Sequence, residues 1–223
     1  MIPWLEPSSI PHFPETASAL SEPRGLLAAG GKLNVEWLLV AYRQGIFPWF
    51  SDNEPILWWS PAPRTVLYPA DFYQSRSLQK LARRQRYRLS VNEDFRGVIE
   101  SCAGERVGQQ GTWINPQMID AYTEMHDAGF AHSIECRRGD ELVGGLYGIG
   151  LGRVFFGESM FSREPNTSKL CLRHLVESGN YEMIDCQLAT SHLKSLGATE
   201  ITREEFESAL DRLAWSDSIA PRG

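Results

Sequence analysis

Residues 153–163 (RVFFGESMFSR) constrain the fold more than any other stretch of this chain. A short run of β-branched and aromatic residues, with glycines just before it, reads as a buried strand. Among Phe155, Phe156, Met160 and Phe161 stands one carboxylate, Glu158, at what reads as the far end of that strand. A charge in apolar company needs a partner or must give up its charge. Glu158 is therefore either part of a satisfied ion pair or the floor of a site. On its own, the structural reading is the stronger.

The rest of the chain predicts the frame around it. Residues 1–25 hold five prolines and read as an irregular arm. Asn34 caps a helix carrying Trp37, Leu38, Ala41 and Tyr42 on its apolar face, stopped by Gly45. Pro61 and Pro63 mark a boundary near residue 62. Helices are expected over 75–84, 95–102 and from Asn115-Pro116 to Gly129, with a strand at 87–92. Residues 131–137 and 141–147 form a hairpin about Gly139-Asp140. A glycine run at 148–152 leads into the opening strand. After it come a helix at 166–178, a strand at 182–187, a short helix at 190–196 and a strand at 200–201. A capping box of Thr202 and Glu205 opens the last helix. This order predicts an α+β fold, a mixed sheet flanked by helices. A small N-terminal domain over 1–62, with an aromatic-rich wall, precedes a larger one over 63–223.

With 223 residues, 42% hydrophobic and 22% charged, the chain has the balance of an ordinary globular protein. No apolar run approaches the length that spans a bilayer, and no basic segment followed by an apolar core suggests a signal peptide. The four cysteines are scattered without a CxxC pair, as expected for reduced thiols in the cytoplasm. The five histidines lack ligand spacing, so no metal is expected.

Net charge is −6, but its distribution matters more. Arg76, Lys80, Arg83, Arg84, Arg86 and Arg88 follow one another with no acid between. Solvated helix faces usually mix signs, so phosphate binding is the better reading. Asp185 and Gln187 lie two apart at the C-terminal end of a predicted strand, on one face. Ligands favour that end of such sheets. If that strand neighbours the opening one, Glu158, Asp185 and Gln187 converge. The glycine run at 148–152 is no phosphate loop, because a strand and not a helix follows it.

Seven segments now read together: residues 45–50 (GIFPWF), 58–61 (WWSP), 111–114 (GTWI), 132–135 (HSIE), 141–148 (ELVGGLYG), 157–163 (GESMFSR) and 184–187 (IDCQ). In this order, from about residue 25 to 206, they resemble the leucyl/phenylalanyl-tRNA–protein transferase family. The resemblance implies a C-terminal domain folded like the Gcn5-related acyltransferases. It also implies a cytoplasmic, monomeric aminoacyltransferase of the N-end rule pathway. Such an enzyme moves leucine or phenylalanine, and less readily methionine, from aminoacyl-tRNA to the α-amine of proteins beginning with arginine or lysine. The product is marked for degradation.

By motif match, the apolar pocket for the transferred side chain falls on Trp49, Trp113, Leu146, Phe155, Met160 and Ile184. A methionine is familiar where Leu146 stands. The reaction centre falls on Glu158, Asp185 and Gln187. Gln187 is the expected acceptor that steers the amine, oriented by Asp185, with Asp185 as direct base the competing account. Glu158 would hold the aminoacyl-adenosine end or the acceptor's cationic residue. The basic run would meet the acceptor stem. The donor is an activated ester, so no cofactor is implied. The alternative is an acyl-CoA-dependent acetyltransferase on the same fold. Residues 162–167 disfavour it, lacking the glycines that cradle pyrophosphate.

Overall fold

The computed structural model describes residues 2–84, 86–104 and 114–214. Residues at the N-terminal end build a four-stranded sheet in the order β1-β2-β4-β3. Its strands are β1 (Trp4–Leu5), β2 (Leu26–Gly30), β3 (Phe47–Pro48) and β4 (Leu57–Trp59). The proline-rich arm is thus not wholly irregular: β1 pairs parallel with β2. Pro3 lends only its carbonyl, which accepts from the Ala29 N–H, so the ring's missing donor costs nothing there.

Helix α1 (Val35–Arg43) packs on this sheet through Trp37, Leu38, Ala41 and Tyr42. Its cap is the expected one, with Asn34 Oδ1 accepting from the Trp37 N–H at 3.0 Å. Trp37 and Trp58 stack, with Phe13 edge-on to both.

A second sheet holds seven strands: β5 (Arg64–Leu67), β6 (Arg88–Val91), β7 (Ala131–Arg138), β8 (Glu141–Leu151), β9 (Val154–Ser162), β10 (Met183–Asp185) and β11 (Thr199–Ile201). Their order is β11-β5-β10-β9-β8-β7-β6. Only β9 and β10 run parallel, so the sheet is mixed as predicted. Helices cover both faces. On one lie α2 (Arg76–Arg83), α5 (Thr167–Glu177) and α6 (Ser191–Ser195), over Leu67, Leu146, Phe155 and Ile184. On the other lie α3 (Phe95–Ala103), α4 (Pro116–Asp127), α7 (Arg203–Leu213) and α1, over Val66, Tyr147, Phe156 and Met183. The Thr202–Glu205 capping box opens α7.

Three strand limits differ from the expectation: β10 stops at Asp185, short of Gln187, and the other two concern β8 and β9. The glycines at 148 and 150 do not end β8, which runs on to Leu151. They are there for close approach: a Cβ on Gly148 would stand 2.1 Å from the Phe156 carbonyl oxygen. Likewise β9 does not end at Glu158 but continues to Ser162. Among the described residues no helix is long and apolar enough to cross a membrane.

Candidate active site

Strand β10 ends at Asp185, opposite Phe156. From Gly157 onward β9 keeps β8 on one side and loses its parallel neighbour on the other. A cavity of about 1060 Å³ opens at this parting. Its walls include Leu146, Phe155, Met160 and Ile184, with Leu172 and Leu175 from α5 above. The first four are two cross-strand pairs, Leu146 opposite Met160 and Ile184 opposite Phe155.

A bulge creates this wall. Tyr147 pairs with Ser159 and Gly148 with Gly157, so Glu158 is an extra residue in β9 without a partner on β8. In a regular strand, Phe155 and Met160, five apart, would point to opposite faces. The inserted residue shifts the alternation, and both line the same cavity. The far-end position expected for Glu158 is therefore corrected: it stands mid-strand, aimed by the bulge.

Glu158 is held by two buried phenols. The Tyr42 hydroxyl donates to Oε1 at 2.7 Å and the Tyr122 hydroxyl faces Oε2 at 3.1 Å; the two hydroxyl oxygens also touch, so two phenolic protons are shared among three contacts. Burial pushes the carboxyl up to about 7, opposed by those two hydrogen bonds; the Asp185 charge raises it further and Arg64 lowers it. Both phenols are pushed well above their usual range, mainly by burial, and stay donors.

The sign of the linkage follows. A folded pKa above the unfolded one stabilises the protein below about pH 4.5, and that stability is lost as pH rises through about 7. Glu158→Gln should therefore flatten the fall in unfolding free energy between about pH 5 and pH 8 by up to roughly 3 kcal/mol. Urea unfolding at the two pH values checks it. An unchanged slope would show that burial is not what Glu158 feels.

Asp185 is wholly buried and takes no part in lining the cavity. Arg64, 1% exposed, grips it bidentately: Nε donates to Oδ1 at 2.8 Å and Nη2 to Oδ2 at 2.7 Å. Both carboxylate oxygens are thus engaged, which disfavours Asp185 as the direct base. Gln187 lies beyond the strand, not on its pleat, with φ at +55°. Its backbone N–H donates to Asp185 Oδ1 at 3.0 Å, and its carbonyl accepts from the Thr65 N–H. Asp185 orients Gln187 through the main chain. The Gln187 side chain reaches Glu158, Nε2 donating to Oε1 at 3.4 Å. Among the described residues its own Oε1 has no donor and is placed to accept. The three expected residues do converge, with Asp185 beneath and the other two above.

Other expected residues fall elsewhere. Trp49 is 42% exposed, packs against Trp59 and is absent from the cavity wall among the described residues. Trp113 lies outside the described residues. Arg76, Lys80, Arg83 and Arg84 form one exposed stripe along α2 and its C-cap, without an ion pair among the described residues. The other two differ: Arg88 pairs with Glu93, and Arg86 lies 3.7 Å from Glu164. In the 132–135 segment, buried Glu135 accepts from the Ser90 and Ser133 hydroxyls, a structural role.

Sequence reasoning missed Arg64, Tyr42 and Tyr122. Arg64 had a readable signal, a lone cation at the head of an apolar strand, the same logic that singles out Glu158. Tyr42 and Tyr122 sit at apolar helix positions, which hides them from a periodicity reading, although a buried phenol needs a partner. Among the described residues no cluster of three or more His, Cys, Asp or Glu is set to hold a metal.

A family model described as leucyl/phenylalanyl-tRNA protein transferase matches residues 66–211, and one for that family's N-terminal domain matches residues 31–62. The chain is similar to the leucyl/phenylalanyl-tRNA–protein transferase of Nitrosospira multiformis, 55% identical over 96% of this chain and 92% of the relative. For that of Azoarcus sp. the identity is 54%, over 95% and 91%. Among solved structures, a GCN5-related N-acetyltransferase from Kribbella flavida aligns at 10% identity and a TM-score of 0.38, over 74% of this chain and 60% of that one. That likeness is too low to carry an assignment.

Proposed function

As a member of the leucyl/phenylalanyl-tRNA–protein transferase family, this chain is an aminoacyltransferase acting between tRNA and protein, and we propose that the cavity beside Glu158 seats the transferred leucyl or phenylalanyl side chain. One observation carries the reading. The apolar wall of Leu146, Phe155, Met160 and Ile184 carries one carboxylate, Glu158, and Glu158 accepts from the Gln187 amide, which stands just outside the wall. An apolar slot with a few convergent polar groups at its edge is the usual form of a small-ligand site.

The reaction is aminolysis of an ester. The acceptor's neutral α-amine attacks the aminoacyl carbonyl, a C–N bond forms as the C–O bond to the ribose breaks, and the proton the amine loses ends on the ribose hydroxyl. The amine's ordinary pKa of about 7.7–8.0 leaves a useful neutral fraction near neutral pH. Positioning therefore supplies most of the catalysis. Gln187 Oε1 accepts from the attacking amine and aims its lone pair, while Nε2 stays on Glu158. Glu158 holds the aminoacyl-adenosine end or the cationic first residue of the acceptor. An apolar slot separates similar side chains by only about 1–3 kcal/mol per methylene, which fits tolerance of leucine, phenylalanine and, less readily, methionine. Acceptors begin with arginine or lysine, and the enzyme works as a monomer.

The stripe on α2 faces the tRNA acceptor stem. Four unpaired charges give a slope of log affinity on log salt of roughly −4. Binding of phenylalanyl-tRNA between low and moderate salt checks this, and a near-zero slope would rule the stripe out. The function itself is tested by incubating the protein with phenylalanyl-tRNA and a peptide beginning with arginine. Mass spectrometry should find one phenylalanine added at the N-terminus. No product would end the reading.

A further inference from the structure

We propose that Arg64 is a positioning residue for the transfer reaction, holding Asp185 so that the turn after β10 presents the Gln187 amide to the attacking amine. The inference rests on the acceptor role given to Gln187 above.

Three observations converge on it. First, the grip is rigid. The guanidinium meets both Asp185 oxygens at 2.7–2.8 Å and packs over the rings of Phe47 and Phe206, 5.0 and 4.7 Å from their centroids. A planar fork fixed on its edge and on its face has no freedom to slide. Among the described residues its Nη1 makes no hydrogen bond, so the hydrogen bonds it does make both go to Asp185.

Second, that grip reaches Gln187 in one step. Asp185 Oδ1 accepts from Arg64 Nε and from the Gln187 N–H together. Third, Gln187 stands in a left-handed conformation, φ +55°, that a residue with a side chain adopts only when its surroundings impose it. The Leu188 N–H closes a tight turn onto the Cys186 carbonyl, Asp185 of β10 accepts from the Gln187 N–H, and the start of β5 braces both. Arg64 acts through Asp185. Thr65 donates its N–H to the Gln187 carbonyl and accepts from the Cys186 N–H. Strand β5 thus braces the turn from one side.

A purely structural ion pair would stabilise the fold and leave turnover per folded molecule alone. A positioning pair does something else. A lysine at this position keeps the charge but not the fork, so the turn loosens while substrate binding does not. Displacement of a reacting group by about 1 Å can cost on the order of 100-fold in rate.

The test is a double-mutant cycle with phenylalanyl-tRNA and a peptide beginning with arginine, comparing wild type, Arg64→Lys, Gln187→Ala and the double variant. Arg64→Lys should lower kcat by at least about 20-fold and leave KM for the aminoacyl-tRNA within about twofold. In the Gln187→Ala background the same change should alter kcat by less than about twofold, because the group it positions is gone. Equal losses in both backgrounds would overturn the role of Arg64 alone. Wild-type turnover in Gln187→Ala would overturn the reading of Gln187 itself. If Arg64→Lys does not fold, Arg64→Met with Asp185→Leu replaces the pair by apolar side chains, an exchange folds commonly tolerate. That variant should fold and turn over as slowly as Gln187→Ala, with no further loss when the two are combined. Wild-type turnover from it would overturn the proposal.

Discussion

Replacing Gln187 by alanine should lower turnover by about 100- to 10,000-fold while leaving the affinity for aminoacyl-tRNA within about twofold. The reason is its place. Its amide nitrogen is on Glu158 and its main chain is tied to Asp185 and Thr65, and among the described residues Oε1 has no donor. An acceptor held that firmly is useful only to a donor that arrives with substrate. Removing it leaves the apolar wall and the basic stripe intact, so ground-state binding should survive. Single-turnover rates with saturating enzyme, beside an equilibrium binding measurement, separate the two quantities. A variant that loses affinity and keeps its rate would move Gln187 from the chemistry to the binding of the donor.

Asp185→Leu should be the most destabilising single change near the site, by about 3–5 kcal/mol, because it leaves Arg64 charged, buried and unanswered. For a chain of this size that corresponds to a fall of about 6–20 °C in Tm. Removing both charges should restore most of that loss, since the desolvation penalty disappears with them. Thermal unfolding of the single and paired variants checks both statements. A Tm within about 2 °C of wild type for Asp185→Leu alone would mean that the arginine finds water or another acceptor when the carboxylate is gone. The two predictions are linked by one atom: Asp185 Oδ1 serves the stability of the pair and the placement of Gln187 together.

Local rules made much of this protein legible from its residues. The caps expected at Asn34, Asn115 and Thr202 all accept the N–H three residues on, because capping needs only neighbours in the chain. Helix faces, the hairpin at Gly139 and the mixed sheet followed from periodicity and turn chemistry for the same reason. The basic stripe was legible because four charges at helical spacing share a face wherever the helix lies. Even the unusual character of Glu158 was readable, since a carboxylate among aromatics is anomalous in any fold.

What the tertiary structure alone decided was alternation and partnership. A bulge at Glu158 is set by how β8 and β9 pair, and that single inserted residue determines whether Phe155 and Met160 share a wall. Arg64 meets Asp185 across 121 positions, and Tyr42 meets Glu158 across 116. No local pattern encodes such separations. They arise because burial forbids an unanswered charge, so each buried polar group is matched by whichever partner the packed fold brings within reach.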